Sequence, residues 1–105
     1  MILHVVSLKW AEGVGEADVA GVEAALDGLA ALPGVESLVR GANLGFNPKT
    51  AATCDYGFVL RLADAEAMRA YMEHPRHVEL GVRLAPLVES LKSLQLESPD
   101  EPRAT

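Results

Sequence analysis

The chain has 105 residues, of which 50% are hydrophobic and 23% are charged, and its formal net charge is −6. This length and apolar content suit one compact domain with a core of its own, and they exclude extended disorder. The negative charge, with no basic run to offset it, argues against a nucleic-acid partner.

The cysteine content and the start of the chain predict a location in the cytoplasm. Cys54 is the single cysteine and cannot form a disulfide within the chain, which fits a reducing compartment. The opening segment has no positively charged region and its apolar stretch breaks at Lys9, unlike a signal peptide. No apolar run is long enough to cross a bilayer, so no membrane partner is expected.

The first half of the chain predicts a strand, a helix and a second strand. Residues 2–10 are rich in β-branched side chains with two largely apolar faces, which is typical of a strand covered on both sides. Residues 16–32 carry apolar side chains at spacings of three and four, so they predict a helix that Pro33 and Gly34 end. Residues 35–44 predict the second strand.

The second half begins with a predicted loop at residues 45–55, which hold glycine, Asn-Pro and small polar side chains. A strand is predicted at residues 56–62, where aromatic and apolar side chains alternate. Asp64 is the expected N-cap of a short helix at residues 65–72. Pro75 is expected to begin a further helical segment at its first turn.

Residues 90–97 predict the last strand, and residues 98–105 predict a disordered tail because they hold two prolines and few apolar side chains. The order β-α-β-β-α-β is that of an α+β, ferredoxin-like domain, here spanning residues 1–97. Its helices can cover only one face of the sheet, so the other face is expected to show Leu3 and Val5. A homodimer that packs sheet on sheet would cover this patch.

Three segments of the sequence carry a resemblance to a known family. They are Ile2-Leu3-His4-Val5-Val6 with Lys9-Trp10, Pro33-Gly34-Val35 followed by Gly41 and Asn43, and Ala70-Tyr71-Met72-Glu73-His74-Pro75-Arg76-His77. Together they resemble the stress-responsive α/β-barrel (Dabb) domain family over nearly the whole chain, and the Tyr-x-x-His-Pro-x-His segment is the most specific part. The resemblance implies a ferredoxin-like protomer and a homodimer whose two sheets form an α+β barrel.

Within this family, the chain is similar to polyketide cyclases of the kind that makes olivetolic acid. The similarity implies an intramolecular aldol condensation of a hydrophobic, carbonyl-bearing substrate without a cofactor. It implies that His77 is the base, that Tyr71 assists it, and that His4 belongs to the same pocket. The catalytic role expected of His4 is to position or share the proton. Two pocket residues of such cyclases are not kept, since Leu26 stands in place of a tyrosine and Tyr56 in place of a histidine. The substrate therefore stays open.

Judged by residue type alone, each of these residues can have either the catalytic role described above or a purely structural role. A histidine titrates near neutral pH, so His77, on an apolar helical stripe, can be a base or a hydrogen-bonded structural residue. Tyr71 can polarise a substrate carbonyl or pack as an ordinary core tyrosine. His4 lies on an apolar strand face, where a polar group needs a partner. His74 precedes a proline, which favours a capping role.

The predicted pocket is mainly apolar, and no metal is expected in it. Its expected lining residues are Val6, Leu8, Val22, Leu26, Tyr56 and His74. The two histidines of the His-Pro-x-His motif have no nearby carboxylate that would complete a set of metal ligands.

Two other functions stay open. The chain can be a non-catalytic, dimeric module that binds a hydrophobic small molecule or serves a stress response. It can also catalyse a different reaction on the same architecture, such as cofactor-free oxygenation or haem degradation, although no oxygenase signature is present.

Overall fold

A computed structural model gives the fold of residues 1–99. The elements follow one another as β1 (Ile2–Trp10), α1 (Glu16–Leu29), β2 (Val35–Ala42), α2 (Pro48–Ala51), β3 (Tyr56–Leu62), α3 (Ala65–Glu73), α4 (Pro75–Leu84) and β4 (Val88–Glu97). The strands form one antiparallel, four-stranded sheet in the order β2-β3-β1-β4. The predicted ferredoxin-like α+β fold is confirmed, and its second helix is divided into α3 and α4.

Several predicted boundaries are wrong by a few residues. Helix α1 ends at Leu29, three residues before its predicted end, and β4 begins at residue 88 instead of 90. The loop predicted at residues 45–55 contains the one-turn helix α2. This helix forms because the Asn47 side chain accepts a hydrogen bond from the Lys49 N–H, while Pro48 fits the first helical position.

The core lies between the helices and one face of the sheet. Along β1 and β3, buried residues alternate with half-buried ones, which is the pattern of strands with one face on the core. The buried apolar side chains are Ile2, Val6, Leu8, Val22, Leu26, Leu29, Tyr56, Phe58, Leu60, Leu62, Tyr71, Leu80 and Leu84. The one buried polar residue among the described residues is His4, on the same face of β1.

A glycine turn joins α1 to β2 and seats α3 against it. Gly34 has a φ of +85°, which side chains with a Cβ rarely adopt. A Cβ at this position would lie 2.9 Å from the Cβ of Ala67 in α3. The turn therefore needs glycine both for its backbone conformation and for the space beside α3.

The opposite face of the sheet points away from the helices and is apolar. The register places one residue of each strand in a row, namely Val39, Val59, Val5 and Leu94. Val39 is 64% exposed and Leu94 is 49% exposed. Leu3 lies opposite Leu96 in the next row. The expectation that Leu3 and Val5 lie on this second face is confirmed.

The two ends of the described chain meet. Ser98 donates a backbone hydrogen bond to Met1, and the amino group of Met1 donates one to the Ser98 carbonyl, each at 2.9 Å. Most of the predicted tail, residues 100–105, lies outside the described residues, so its disorder stays a prediction. Within residues 1–99, no helix has both the length and the apolar character needed to span a membrane.

Candidate functional site

The His-Pro-x-His segment forms the joint between α3 and α4. Pro75 occupies the start of α4, where its missing N–H removes no helical hydrogen bond. The His74 N–H donates to the Tyr71 carbonyl at 3.1 Å, which closes α3. The His74 Nδ1 accepts a hydrogen bond from the Arg76 N–H at 3.1 Å, which opens α4. His74 is therefore the cap of both helices, and its predicted lining role stays a prediction.

The ring of His77 turns back onto the end of α3. Its Nδ1 lies 3.0 Å from the carbonyl oxygen of Met72, one of the carbonyls at the helix end that lack a helical partner. Because a carbonyl oxygen only accepts, Nδ1 carries the proton in this hydrogen bond. In the neutral ring, Nε2 then holds the free lone pair and is the basic atom.

Tyr71 stands between the other two predicted catalytic residues. Its ring centroid lies 4.8 Å from that of His77 and 5.8 Å from that of His4. His4 comes from β1 and is only 4% exposed, whereas His77 is half-buried in the first turns of α4. The structure thus brings the three side chains together from three elements, and we refer to them as the His4–Tyr71–His77 cluster.

The hydroxyl of Tyr71 is buried and has no hydrogen-bond partner among the described residues. Burial raises the pKa of Tyr71 to about 12, so the hydroxyl stays protonated at neutral pH. Leaving such a group unpaired costs roughly 1–3 kcal/mol, and buried polar groups in proteins are rarely left so. The hydroxyl is therefore a buried donor without an acceptor in this part of the chain.

Gln95 of β4 holds the buried ring of His4. The two residues are opposite each other in the β1–β4 register, and the Gln95 Nε2 lies 2.8 Å from the His4 Nδ1. Burial lowers the pKa of His4, and the neighbouring His77 lowers it further, so His4 is neutral at pH 7. Gln95 is not among the predicted site residues, because only the register between two distant strands reveals this pair.

Four of the predicted lining residues are packed in the core. They are Val6, Leu8, Val22 and Leu26, and none is more than 4% exposed. Val6 lies two residues from His4 on the same strand face, whereas Leu8 lies four residues away, roughly 13 Å along the strand. Whether these side chains line a pocket stays a prediction.

Tyr56 belongs to a different polar group at the other end of the sheet. Its hydroxyl donates to Glu23 at 2.8 Å, and Glu23 also accepts from Arg40 at 2.7 Å. Arg40 makes two further hydrogen bonds to Asp27, at 2.8 and 3.0 Å. Burial raises the pKa of Tyr56, and the hydrogen bond to Glu23 adds to this. On β3, Tyr56 is four positions from the residue opposite His4, so it does not join the cluster.

Two surface cavities are lined by none of the cluster residues. One, of about 760 Å³, lies between α1 and α4 and is flanked by Arg76 and Arg83. The other, of about 720 Å³, lies on the outer face of the sheet and includes Leu44 and Phe46. Within residues 1–99, no group of three or more histidine, cysteine, aspartate or glutamate side chains is placed to hold a metal ion.

Known families and solved structures agree with this architecture. The model of a family described as the stress responsive A/B barrel domain matches residues 2–98. A comparison with curated proteins finds no match.

Three solved structures illustrate the similarity. A dimeric ferredoxin-like protein of unknown function from Thermobifida fusca YX is 30% identical, with a TM-score of 0.79 over 90% of this chain and 88% of that chain. A second such dimeric protein, from Jannaschia sp. CCS1, is 29% identical, with a TM-score of 0.82 over 92% of this chain and 98% of that chain. The hydroxynitrile lyase of Passiflora edulis is 13% identical and shares the fold, with a TM-score of 0.83 over 97% and 96% of the two chains.

Proposed function

Because the chain belongs to the stress responsive A/B barrel domain family, we propose that it is a homodimeric enzyme that removes a proton beside a carbonyl of an apolar substrate without a cofactor. The specific reaction proposed is an intramolecular aldol-type condensation of a polyketide-type substrate, as in the olivetolic acid cyclase-type members of the family. The observation that carries the proposal is the unpaired, buried hydroxyl of Tyr71 between two imidazole rings.

In this proposal, His77 is the general base. The Met72 carbonyl keeps the ring proton on Nδ1, which leaves the lone pair of Nε2 to accept a proton. Nε2 takes the proton from the carbon next to a substrate carbonyl, the C–H electron pair forms a C=C bond, and the carbonyl π electrons move to oxygen. A well-placed base of this kind contributes a factor of roughly 10²–10⁴ to the rate.

Tyr71 and His4 stabilise the resulting enolate oxygen. Tyr71 supplies an O–H that has no partner in residues 1–99, and His4 supplies a second donor when its ring proton is on Nε2. Neutral, preorganised donors in a buried site favour the developing negative charge. The enolate carbon then attacks a second carbonyl of the same molecule to form the C–C bond, and the His77 imidazolium returns its proton to the alkoxide.

The surroundings of the cluster support an apolar substrate that approaches over β4. Val6 flanks His4, and Leu80 lies on the same stripe of α4 as His77; both are buried and apolar. On β4, even the residues that face the helix side are exposed, including Ser93 opposite Val6. We therefore propose this side of the cluster as the direction from which the substrate approaches.

The outer face of the sheet supports the homodimer. It presents an apolar row across all four strands, and two similar solved structures are described as dimeric. Sheet-on-sheet packing would remove this row from water. Residues 1–97 are proposed as the folded domain, and the free thiol of Cys54 supports a reducing, cytoplasmic location.

Exchange of the proton beside a carbonyl tests the proposed function. The protein is incubated in D₂O with an apolar methyl ketone, whose uncatalysed exchange is slow, and separately with a linear β-polyketone. Proton NMR follows the exchange, and mass spectrometry follows cyclised product. We expect His77→Asn to slow both reactions about 100-fold and Tyr71→Phe about tenfold or more. The matched control is Glu79→Gln, an exposed position on α4, which leaves both rates unchanged.

Equal rates for the wild type, His77→Asn and a protein-free sample would contradict the proposal.

The second candidate function is a non-catalytic dimer that binds an apolar small molecule. It is favoured by the observation that the Nδ1 atoms of His4 and His77 already have protein partners. Calorimetric binding of the ketone without exchange would select this second function.

A further inference from the structure

Gln95 lies where the core meets solvent. Every residue of β4 from residue 89 to residue 97 is exposed, including those that face the helix side, whereas the ring opposite Gln95 belongs to the buried His4. The Nε2 atom of the exposed Gln95 side chain thus lies 2.8 Å from the Nδ1 atom of the buried His4 ring. Ordering a glutamine side chain costs conformational entropy, which the hydrogen bond to His4 has to offset.

The orientation of the Gln95 amide sets the direction of this hydrogen bond. The amide nitrogen, which carries two hydrogens and no free lone pair, faces His4, so in this orientation the His4 Nδ1 accepts. A neutral imidazole then carries its single proton on Nε2. Among the described residues, His4 has no other hydrogen-bond partner that would select a tautomer.

The direction matters because the other two members of the cluster already have fixed roles. The Met72 carbonyl makes the His77 Nε2 a lone-pair acceptor, and the Tyr71 hydroxyl is a donor. If the His4 proton were on Nδ1, Nε2 would add a second lone pair to the cluster, which would repel the developing oxyanion of the proposed reaction. With the proton on Nε2, the cluster presents one base and two donors.

We propose that Gln95 is a positioning residue that sets His4 as a hydrogen-bond donor toward the substrate oxygen. The catalytic consequence rests on the proposed function, whereas the choice of tautomer does not depend on any reaction. Gln95 acts through His4 and does not itself touch the reacting atoms in this proposal.

Two variants of Gln95 separate the effects of hydrogen-bond direction and side-chain shape. In Gln95→Glu, a carboxylate oxygen can only accept, so the hydrogen bond reverses and the proton is held on Nδ1. In Gln95→Met, the side chain keeps a similar length but makes no hydrogen bond, so neither tautomer is selected. The matched control is Ser93→Ala, which changes an exposed side chain on the same face of β4 opposite Val6.

The direct measurement is the ¹⁵N NMR spectrum of the imidazole nitrogens in the full chain. The sequence has three histidines, and loss of one set of signals in His4→Gln assigns those of His4. We expect a protonated Nε2 and an unprotonated Nδ1 in the wild type and in Ser93→Ala, and the reverse in Gln95→Glu. A wild-type Nδ1–H tautomer, or a tautomer that neither Gln95 variant alters, would overturn the inference.

The ketone exchange assay shows whether the tautomer matters to the reaction. We expect Gln95→Glu to lower kcat about tenfold or more with little change in KM, because one oxyanion donor is lost. If the wild type is inactive while the NMR result holds, the proposed function fails and the tautomer assignment stands. If Gln95→Glu switches the tautomer and keeps full kcat, the positioning role is wrong while the proposed function stands.

Discussion

The rings of Tyr71 and His77 lie 4.8 Å apart although they belong to different helices. Residues six positions apart on one continuous helix do not face each other, since helical neighbours are three or four residues apart. The two rings meet because α3 ends and α4 begins at His74, which redirects the chain between them. The joint between the helices thus creates the central contact of the cluster.

Replacing Tyr71 by phenylalanine is expected to stabilise the protein while it weakens the proposed reaction. The variant removes a buried hydroxyl that has no partner, so the free energy of unfolding should rise by about 1 kcal/mol, measured by urea denaturation. Tyr56→Phe is the matched control, because the Tyr56 hydroxyl donates to Glu23 and its loss should lower stability by about 1 kcal/mol. Equal losses in both variants would show that the Tyr71 hydroxyl is a structural donor.

His4 is expected to make the protein less stable in mild acid. Burial, and then His77, lower its pKa in the folded chain below the value of about 6.5 that it has when unfolded. As the pH falls below about 6.5, the unfolded chain gains a proton that the folded chain does not, so stability decreases until the lower folded pKa is reached. Above about pH 6.5, the contribution of His4 to the free energy of unfolding no longer changes with pH.

The measurement is the urea midpoint at about pH 7.5 and about pH 5.5. We expect the wild type to lose more stability between these values than His4→Gln, which keeps a polar side chain but does not titrate. Tyr71 stays neutral throughout this range, and His77 is retained in both proteins, so the difference reports His4 together with its coupling to His77. Parallel pH profiles in the two proteins would contradict this assignment.

Leu94 and Leu91 form a matched pair that tests the dimer surface. They are 49% and 44% exposed on the same strand, but Leu94 lies opposite Val5 on the outer face, whereas Leu91 lies opposite Leu8 on the helix side. Leu94→Lys should weaken the dimer at least about tenfold, since it places charge in an apolar interface. Leu91→Lys should leave the dimer intact. Sedimentation velocity over a concentration series distinguishes the two, and dissociation of both variants alike would contradict sheet-on-sheet packing.

Substitution by alanine is expected to have opposite effects on stability at two glycines. Gly34 has a positive φ and a Cβ there would meet Ala67 at 2.9 Å, so Gly34→Ala should destabilise by about 1–3 kcal/mol. Gly81 lies within α4, and a Cβ there meets nothing within 4 Å, so Gly81→Ala should stabilise by about 1 kcal/mol. Thermal unfolding of both variants measures these changes in stability. A Gly34→Ala variant as stable as the wild type would show that the turn relaxes.

The sequence predicted the fold well because its signals are local. Alternation marks β1 and β3, Asp64 caps α3 as expected, and Pro75 begins α4 as expected. The meeting of His4 with the two helical residues depends on which strand face packs against the helices, and that face is also readable from the alternation. The candidate roles of these residues remain predictions.

The remaining features of the site depend on contacts between distant segments. Alternation assigns Val6 and Leu8 to the same face but does not say how far each lies from the helical joint. For the same reason, it did not separate Tyr56, which pairs with Glu23, from the residues near His4. Gln95 required the register of β1 against β4, which includes an irregularity between Lys9 and Trp10.

No linker residue separates α3 from α4, because His74 is both the C-cap of α3 and the N-cap of α4. One residue inserted between Pro75 and His77 would rotate the latter by about 100° around the axis of α4. The imidazole would then leave both the Tyr71 ring and the Met72 carbonyl. Substitutions at this point change the chemistry of single groups, whereas a change of length dismantles the arrangement. In an alignment of relatives, a gap between positions 71 and 77 therefore marks chains that have lost this arrangement, whatever residues they keep.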